Sequence, residues 1–185
     1  MPRAGVTKEK VFAAAAELAD RDGYAAVSLA AIAAHFGIRT PSLYKHIKNL
    51  EEVQEHLALL GYQGLLDAVR ARVGDGSGIE RLRAFAHAYR DFARRCPGLY
   101  AAAQPTHLSR GAAVQAVARE ILNEVFAVLR ENSVPEDELV HAARTLRSAV
   151  HGFVELELAG GFGLPEDLEV SFEYLLRRFA SGRGR

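Results

Sequence analysis

Apolar residues recur along this chain every three to four positions, the spacing that builds one face of an α-helix. Over residues 7–22, Val11, Phe12, Ala15, Leu18 and Ala19 fall on a single stripe. Thr7 precedes the stripe as an N-cap, and Gly23 follows it as a residue free to take the left-handed conformation that ends helices. Ser28 opens a short second helix with Leu29, Ile32, Ala33 and Phe36 inward, and Gly37 ends it. Thr40 and Pro41 read as the N-cap and first residue of a third helix. Asn49, with Glu52 three residues on, reads as a capping box that opens a long fourth helix to about Val73.

The glycines between residues 74 and 78 form the clearest linker. Ser77-x-x-Glu80 is a second capping box, and its helix runs to about Arg95, where Pro97-Gly98 breaks it. A short piece over 99–103 stops at Pro105. Ser109 caps a helix to about Asn132, Pro135 opens another to about Ala159, and Pro165 opens the last, to about Ala180. Strand signals are scarce, so the pattern predicts an all-α fold of about nine helices.

Composition sharpens this picture in three ways. With 185 residues, 49% of them hydrophobic, the chain buries a real core, which excludes wholesale disorder. The 23 basic and 23 acidic residues cancel, yet residues 1–50 hold seven bases and four acids, so a weakly basic start joins a weakly acidic remainder. No apolar run approaches the roughly 18 residues of a membrane span, and Cys96 is the only cysteine, so a cytoplasmic protein with no membrane partner is expected.

The candidate chemistry lies in residues 28–48. Two short helices joined by Gly37-Ile38 make a helix-turn-helix. Leu29, Ile32, Phe36, Leu43 and Ile47 point inward, which leaves Arg39, Thr40, Ser42, Tyr44, Lys45 and His46 on the other face of the third helix. That face is rich in donors and carries no acid, as contact with a polyanion in the major groove requires. Any small three-helix bundle also fits the periodicity alone. For an enzyme the signals are poor: G-x-S-x-G, H-E-x-x-H and a P-loop are all missing. Glu138-x-x-His141 is half of a di-iron pattern that needs a second copy, so no catalytic residue, metal or cofactor is assigned. A helical enzyme, or a ligand-binding module with no DNA role, is the alternative.

Residues 10–53 closely resemble the N-terminal domain of the tetracycline-repressor (TetR) family. The resemblance rests on Gly23-Tyr24, Ser28-Leu29-x-x-Ile32-Ala33, Gly37-Ile38, Pro41-Ser42-Leu43-Tyr44 and His46-Ile47. It implies a transcriptional regulator with a DNA-binding domain over residues 1–48 and a helical regulatory and dimerisation domain over 49–185. It places Arg39, Thr40, Pro41 and Ser42 near bases, Tyr44, Lys45 and His46 at bases or phosphates, and Ser28 at a phosphate. One position departs: family members often carry a phosphate-contacting lysine where this chain has Leu50, and Lys48 is the candidate substitute. Lys8, Lys10 and Arg3 are a solvated tail or an arm on phosphate.

The remaining helices supply apolar and aromatic surface suited to a ligand cavity. The candidate ligand-binding residues are Phe85, Tyr89, Phe92, Tyr100, His107, Val117, Ile121, Arg147 and His151. In the resembling family an inducer binds such a core and releases DNA, so operator DNA and a small-molecule effector are the expected partners, and a repressor the expected role. The last two helices carry Leu146, Val150, Phe153, Phe172, Leu175, Leu176 and Phe179, expected to form the interface of a homodimer.

Overall fold

The computed structural model describes residues 5–74, 76–104 and 111–181. Among them the regular structure is entirely helical: α1 (Lys8–Asp22), α2 (Leu29–Phe36), a 3-10 segment (Thr40–Lys45), α3 (Leu50–Val73), α4 (Gly78–Arg95), α5 (Pro97–Ala103), α6 (Ala112–Glu131), α7 (Leu139–Leu158) and α8 (Leu168–Ser181), with a single 3-10 turn at Tyr24–Ala26. His107 and Ser109 lie outside the described residues.

The chain forms two compact units. The first comprises Met1–Gly64 and Arg95–Ala118, the second Leu65–Arg94 and Arg119–Arg185. The first unit is therefore larger than residues 1–48: its core takes Val53 and Leu57 from α3 and Ala102 from α5, around Val11, Ala15, Leu18, Ile32, Leu43 and Ile47. Leu50 packs partly buried against that same core, a place that suits a leucine and not a lysine.

Two glycines set how α5 enters the first unit. A Cβ on Gly98 would lie 2.1 Å from the Ala19 carbonyl carbon, and one on Gly61 would lie 2.2 Å from the Leu99 carbonyl oxygen. Only glycine lets these backbones meet so closely. Asp20 of α1 then completes the joint, its Oδ1 accepting from the N–H groups of Gly98 (2.8 Å) and Leu99 (3.1 Å) at the start of α5.

In the second unit α4, α7 and α8 bury Leu82, Phe85, Leu146, Val150, Phe153, Phe172 and Leu176. Phe153 lies 5.0 Å from Phe172 and 4.8 Å from Phe162, centroid to centroid. Five residues expected at a dimer interface, Leu146, Val150, Phe153, Phe172 and Leu176, are thus core of the protomer itself, and Leu175 and Phe179 are half-buried. The apolar stripe of α7 is broad, but its centre is buried within the protomer, where Phe153 meets Arg90 of α4 and Phe172 of α8.

Within this core sits Arg90, only 3% exposed. Its Nε and Nη2 donate to Glu157 (2.7 and 2.8 Å), its Nη1 donates to Glu169 (2.6 Å), and its guanidinium lies 4.8 Å from the Phe172 ring centroid. The Arg90 hydrogen bonds hold the Glu157 carboxyl below the ordinary carboxylate range despite burial.

Candidate nucleic-acid interface

The caps that shape the helix-turn-helix are local. Thr7 Oγ1 accepts from Lys10 N–H at the start of α1, and Ser28 Oγ accepts from Ala31 N–H (3.1 Å) at the start of α2. Ser28, expected at a phosphate, thus also caps α2; it accepts there through Oγ and keeps its hydroxyl proton to donate. At the end of α2, Gly37 takes φ 63°, ψ 34°, and Ile38 N–H reaches back to Ala33 C=O (3.0 Å). This left-handed stop turns the chain within two residues into the next segment.

That next segment differs from the expected α-helix. Thr40 is its first residue and Arg39 its N-cap, without a side-chain cap. Ser42 N–H bonds Arg39 C=O (2.9 Å) and His46 N–H bonds Leu43 C=O (2.8 Å), the i to i+3 pattern of a 3-10 helix. Pro41 brings no N–H, and the segment is only six residues long, so the tighter winding is sufficient. Side chains three apart then eclipse. Leu43 is fully buried and Ile47 3% exposed, while Thr40 and His46 are half-buried. Pro41 and Tyr44 form an exposed row, with Tyr44 56% exposed, and Ser42 lies below an exposed Lys45. Arg39 and Lys48 are exposed as well. None of Arg39, Lys45 and Lys48 forms an ion pair among the described residues.

Lys8 is not a free arm. Its Nζ donates to Glu52 Oε1 (2.6 Å) and lies 5.5 Å from the Phe12 ring centroid. Lys10 Nζ donates to the Gly5 carbonyl (3.0 Å). His56 stacks on Phe12 at 3.9 Å, and burial, then the Lys8 charge, push its pKa down. Glu52 also serves α3: its N–H donates to Asn49 Oδ1 (2.9 Å), and its Oε2 accepts from Lys48 N–H (2.6 Å). The capping box read from Asn49 and Glu52 is present, with the return bond made one residue earlier, at Lys48. Sequence patterns do not reveal the Lys8–Glu52 contact, because the partners lie 44 positions apart.

The candidate ligand-binding residues divide between the two units. Phe85, Tyr89 and Phe92 are buried on α4, Ile121 and His151 are half-buried, and Arg147 is exposed on α7, all in the second unit. Tyr100, 1% exposed, and half-buried Val117 belong to the first. A surface cleft of 360 Å³ lies elsewhere in the second unit, lined by Glu166, Asp167, Val170, Ser171 and Tyr174. Glu138 and His141 are both exposed; among the described residues the His and Glu side chains that converge as a group of three are His87, Glu169 and Glu173. There Arg90 takes the second oxygen of Glu169, and Arg83 Nε lies 3.1 Å from that of Glu173. Burial, then the Asp20 charge, push the Cys96 thiol up, away from a reactive thiolate.

Comparison with known proteins agrees with this architecture. Residues 11–55 match the family model described as bacterial regulatory proteins, tetR family, and residues 82–179 match a tetracyclin repressor-like C-terminal domain. The chain is 38% identical over 183 residues to the HTH-type transcriptional regulator YobS of Bacillus subtilis (strain 168), covering 98% of this chain and 94% of that one. The TetR family regulator PfmR of Thermus thermophilus shares its fold with a TM-score of 0.69 at 21% identity, over 98% of this chain and 99% of that one. BioQ, solved with its double-stranded DNA operator, does so with a TM-score of 0.67 at 21% identity, over 96% and 99%. The matched family models and the YobS relative define a helix-turn-helix, DNA-binding transcriptional regulator. The chain belongs to the TetR family.

Among the described residues no helix is long and apolar enough to cross a membrane.

Proposed function

We propose that this regulator is a cytoplasmic homodimeric repressor, bound to operator DNA through the Arg39–Lys48 region and released by a small-molecule effector. The observation that carries the reading is Tyr44, more than half exposed between the buried Leu43 and Ile47. An aromatic side chain held out of the core on a row of donors suits a nucleic-acid partner. Arg39, Thr40, Pro41 and Ser42 are assigned to bases, Tyr44, Lys45 and His46 to bases or phosphates, and Lys48 to a phosphate. Ser28 orients α2 as its cap.

A duplex selected from random-sequence DNA by the purified protein tests the assignment. Tyr44→Ala and Lys45→Ala are each expected to weaken that duplex about tenfold in a polarisation titration, with the helical content unchanged. Wild-type affinity in both variants overturns the assignment of the segment.

For the homodimer, the face of α7 beside the buried stripe is the better candidate. Ala142, Thr145, Ala149, Gly152 and Leu156 share it at helical spacing, and Leu156 is 50% exposed. On α8, Val170 and Tyr174 lie one turn apart and are exposed. Small residues on α7 allow a partner helix to approach closely, and paired half-sites on DNA require two reading heads. Leu156→Glu is expected to give a folded monomer by light scattering; an unchanged dimer excludes this face. Phe153→Arg, by contrast, would disrupt the protomer core.

The effector is proposed to reach the aromatic side chains Phe85, Tyr89 and Phe92, with Ile121, Arg147 and His151 of the same unit. The apolar and aromatic character of these residues supports the assignment. Release of DNA requires that the effector bind the DNA-free conformation more tightly.

A further inference from the structure

We infer that Glu52 is a positioning residue for DNA binding: its carboxylate fixes the exit of the recognition segment against the first turns of both α1 and α3. The inference rests on the reading of Thr40–Lys45 as the segment that meets DNA.

The exit comprises residues 46–49, which join the Thr40–Lys45 segment to α3. Its first half is held by packing and backbone bonds. Ile47 is buried, and the N–H groups of His46 and Ile47 both reach Leu43 C=O, at 2.8 and 3.1 Å. Its second half has no such anchor, because Lys48 and Asn49 are both exposed. What fixes it is Glu52. Oε2 accepts the Lys48 N–H, Oε1 accepts Lys8 Nζ from the first turn of α1, and the Glu52 N–H returns to Asn49 Oδ1. One residue thus ties three chain segments together at bonds of 2.6, 2.6 and 2.9 Å. The bond from Lys48 N–H, then the Lys8 contact, hold this carboxyl below its ordinary range, so it stays ionised and charge-assisted at neutral pH. Lys8 in turn lies over Phe12, an 8% exposed member of the same core. Removing the acid leaves Leu43 and Ile47 buried but releases the Lys48 peptide and the α1 arm. The Arg39–His46 face then loses its fixed tilt relative to α1.

Coulomb's law alone gives the opposite sign. An acid near a polyanion repels it, and its deletion frees Lys8, so a purely electrostatic role makes DNA binding tighter and steeper in salt. The sign of the effect therefore separates positioning from charge.

The experiment uses the full chain, a duplex selected from random-sequence DNA by the wild-type protein, and a scrambled duplex of the same length. Affinities are titrated across salt. Glu52→Ala is expected to weaken the selected duplex about tenfold while leaving the scrambled duplex within about twofold. Its salt slope on the selected duplex does not steepen and falls by about one at most, because Lys48 is the assigned phosphate contact whose peptide Glu52 holds. Glu52→Gln, whose amide oxygen still accepts from Lys48 N–H, is expected to recover most of the loss. Lys8→Met removes only the α1 arm and is expected to weaken the selected duplex about twofold to threefold at constant slope, whereas loss of a phosphate contact lowers the slope by about one. Tighter binding of both duplexes by Glu52→Ala, or wild-type affinity in Glu52→Ala, overturns the positioning role. So does a slope lowered by Lys8→Met, which holds even where Glu52→Ala fails to fold. Tyr44→Ala runs alongside: full affinity there overturns the reading of the recognition segment instead.

Discussion

Gly98→Ala is expected to destabilise the protein by about 3 kcal/mol or more, seen as a lower urea midpoint at unchanged slope. The added methyl would sit 2.1 Å from the Ala19 carbonyl carbon, 2.2 Å from its oxygen and 2.5 Å from the Asp20 nitrogen. All three are backbone atoms of a helix, so no side-chain rotation relieves the overlap. Either α5 backs away from α1, or α1 bends. The first route stretches both bonds from Gly98 and Leu99 to Asp20 and opens the contact at Gly61. Asp20→Asn, which keeps an acceptor oxygen, serves as the comparison and is expected to cost about 1 kcal/mol by weakening the same cap without any overlap. A Gly98→Ala variant as stable as wild type shows that the two helices pack less closely than described.

Arg90→Met should be of similar size, about 3–5 kcal/mol, because it leaves acids near the core without their cation. Glu157 bears most of this loss. Its side chain is 12% accessible, and Arg94, the other cation beside it, stands at 3.9 Å, far weaker than the paired bonds from Arg90. The pH dependence carries a sign. In the wild type the Glu157 carboxyl titrates below its unfolded value, so the stability it lends is complete above the ordinary carboxylate range and is lost as pH falls through the folded value. In Arg90→Met the same acid is buried without its partner and titrates higher when folded, so acidification toward the carboxylate range restores stability. Urea melts at neutral and mildly acid pH give the two slopes. Arg90→Met combined with Glu157→Leu is expected to recover most of the loss, since apolar replacement of a buried ion pair is often neutral or stabilising. Equal stability of the single and double variants contradicts the pairing.

What the sequence disclosed follows the range of each interaction. Thr7, Ser28 and Asn49 cap helices through bonds to residues three positions away, and all three were legible. The stops at Gly23 and Gly37 were legible as local backbone needs, both at positive φ (89° and 63°), but only Gly37 takes the expected left-handed conformation; Gly23 has ψ 149°. Leu43 and Ile47 could be separated from Tyr44 by spacing alone, and burial agrees. The winding of Thr40–Lys45 was less accessible, since six residues around a proline fit either helix type. The dimer candidates show the larger gap. Periodicity gave α7 an apolar stripe but could not say that Leu146, Val150 and Phe153 are already buried within the protomer, Phe153 against Arg90 and Phe172. The Arg90 cluster was invisible for a related reason: its partners are 67 and 79 positions away.

The placement of the basic side chains in the first unit has a kinetic consequence. Lys8 is bound to Glu52, Lys10 to a carbonyl, and Arg21 to Asp22 at 2.6 Å. Over residues 5–64, the lysines and arginines without an acid at their side are Lys10, Arg39, Lys45 and Lys48, and the last three lie between the turn at Gly37 and the start of α3. A small surplus of charge spread evenly would draw a polyanion toward the molecule from any direction. Gathered here, it turns the molecule during approach, so that encounters begin with the recognition segment foremost. Association should therefore slow with added salt more than dissociation quickens.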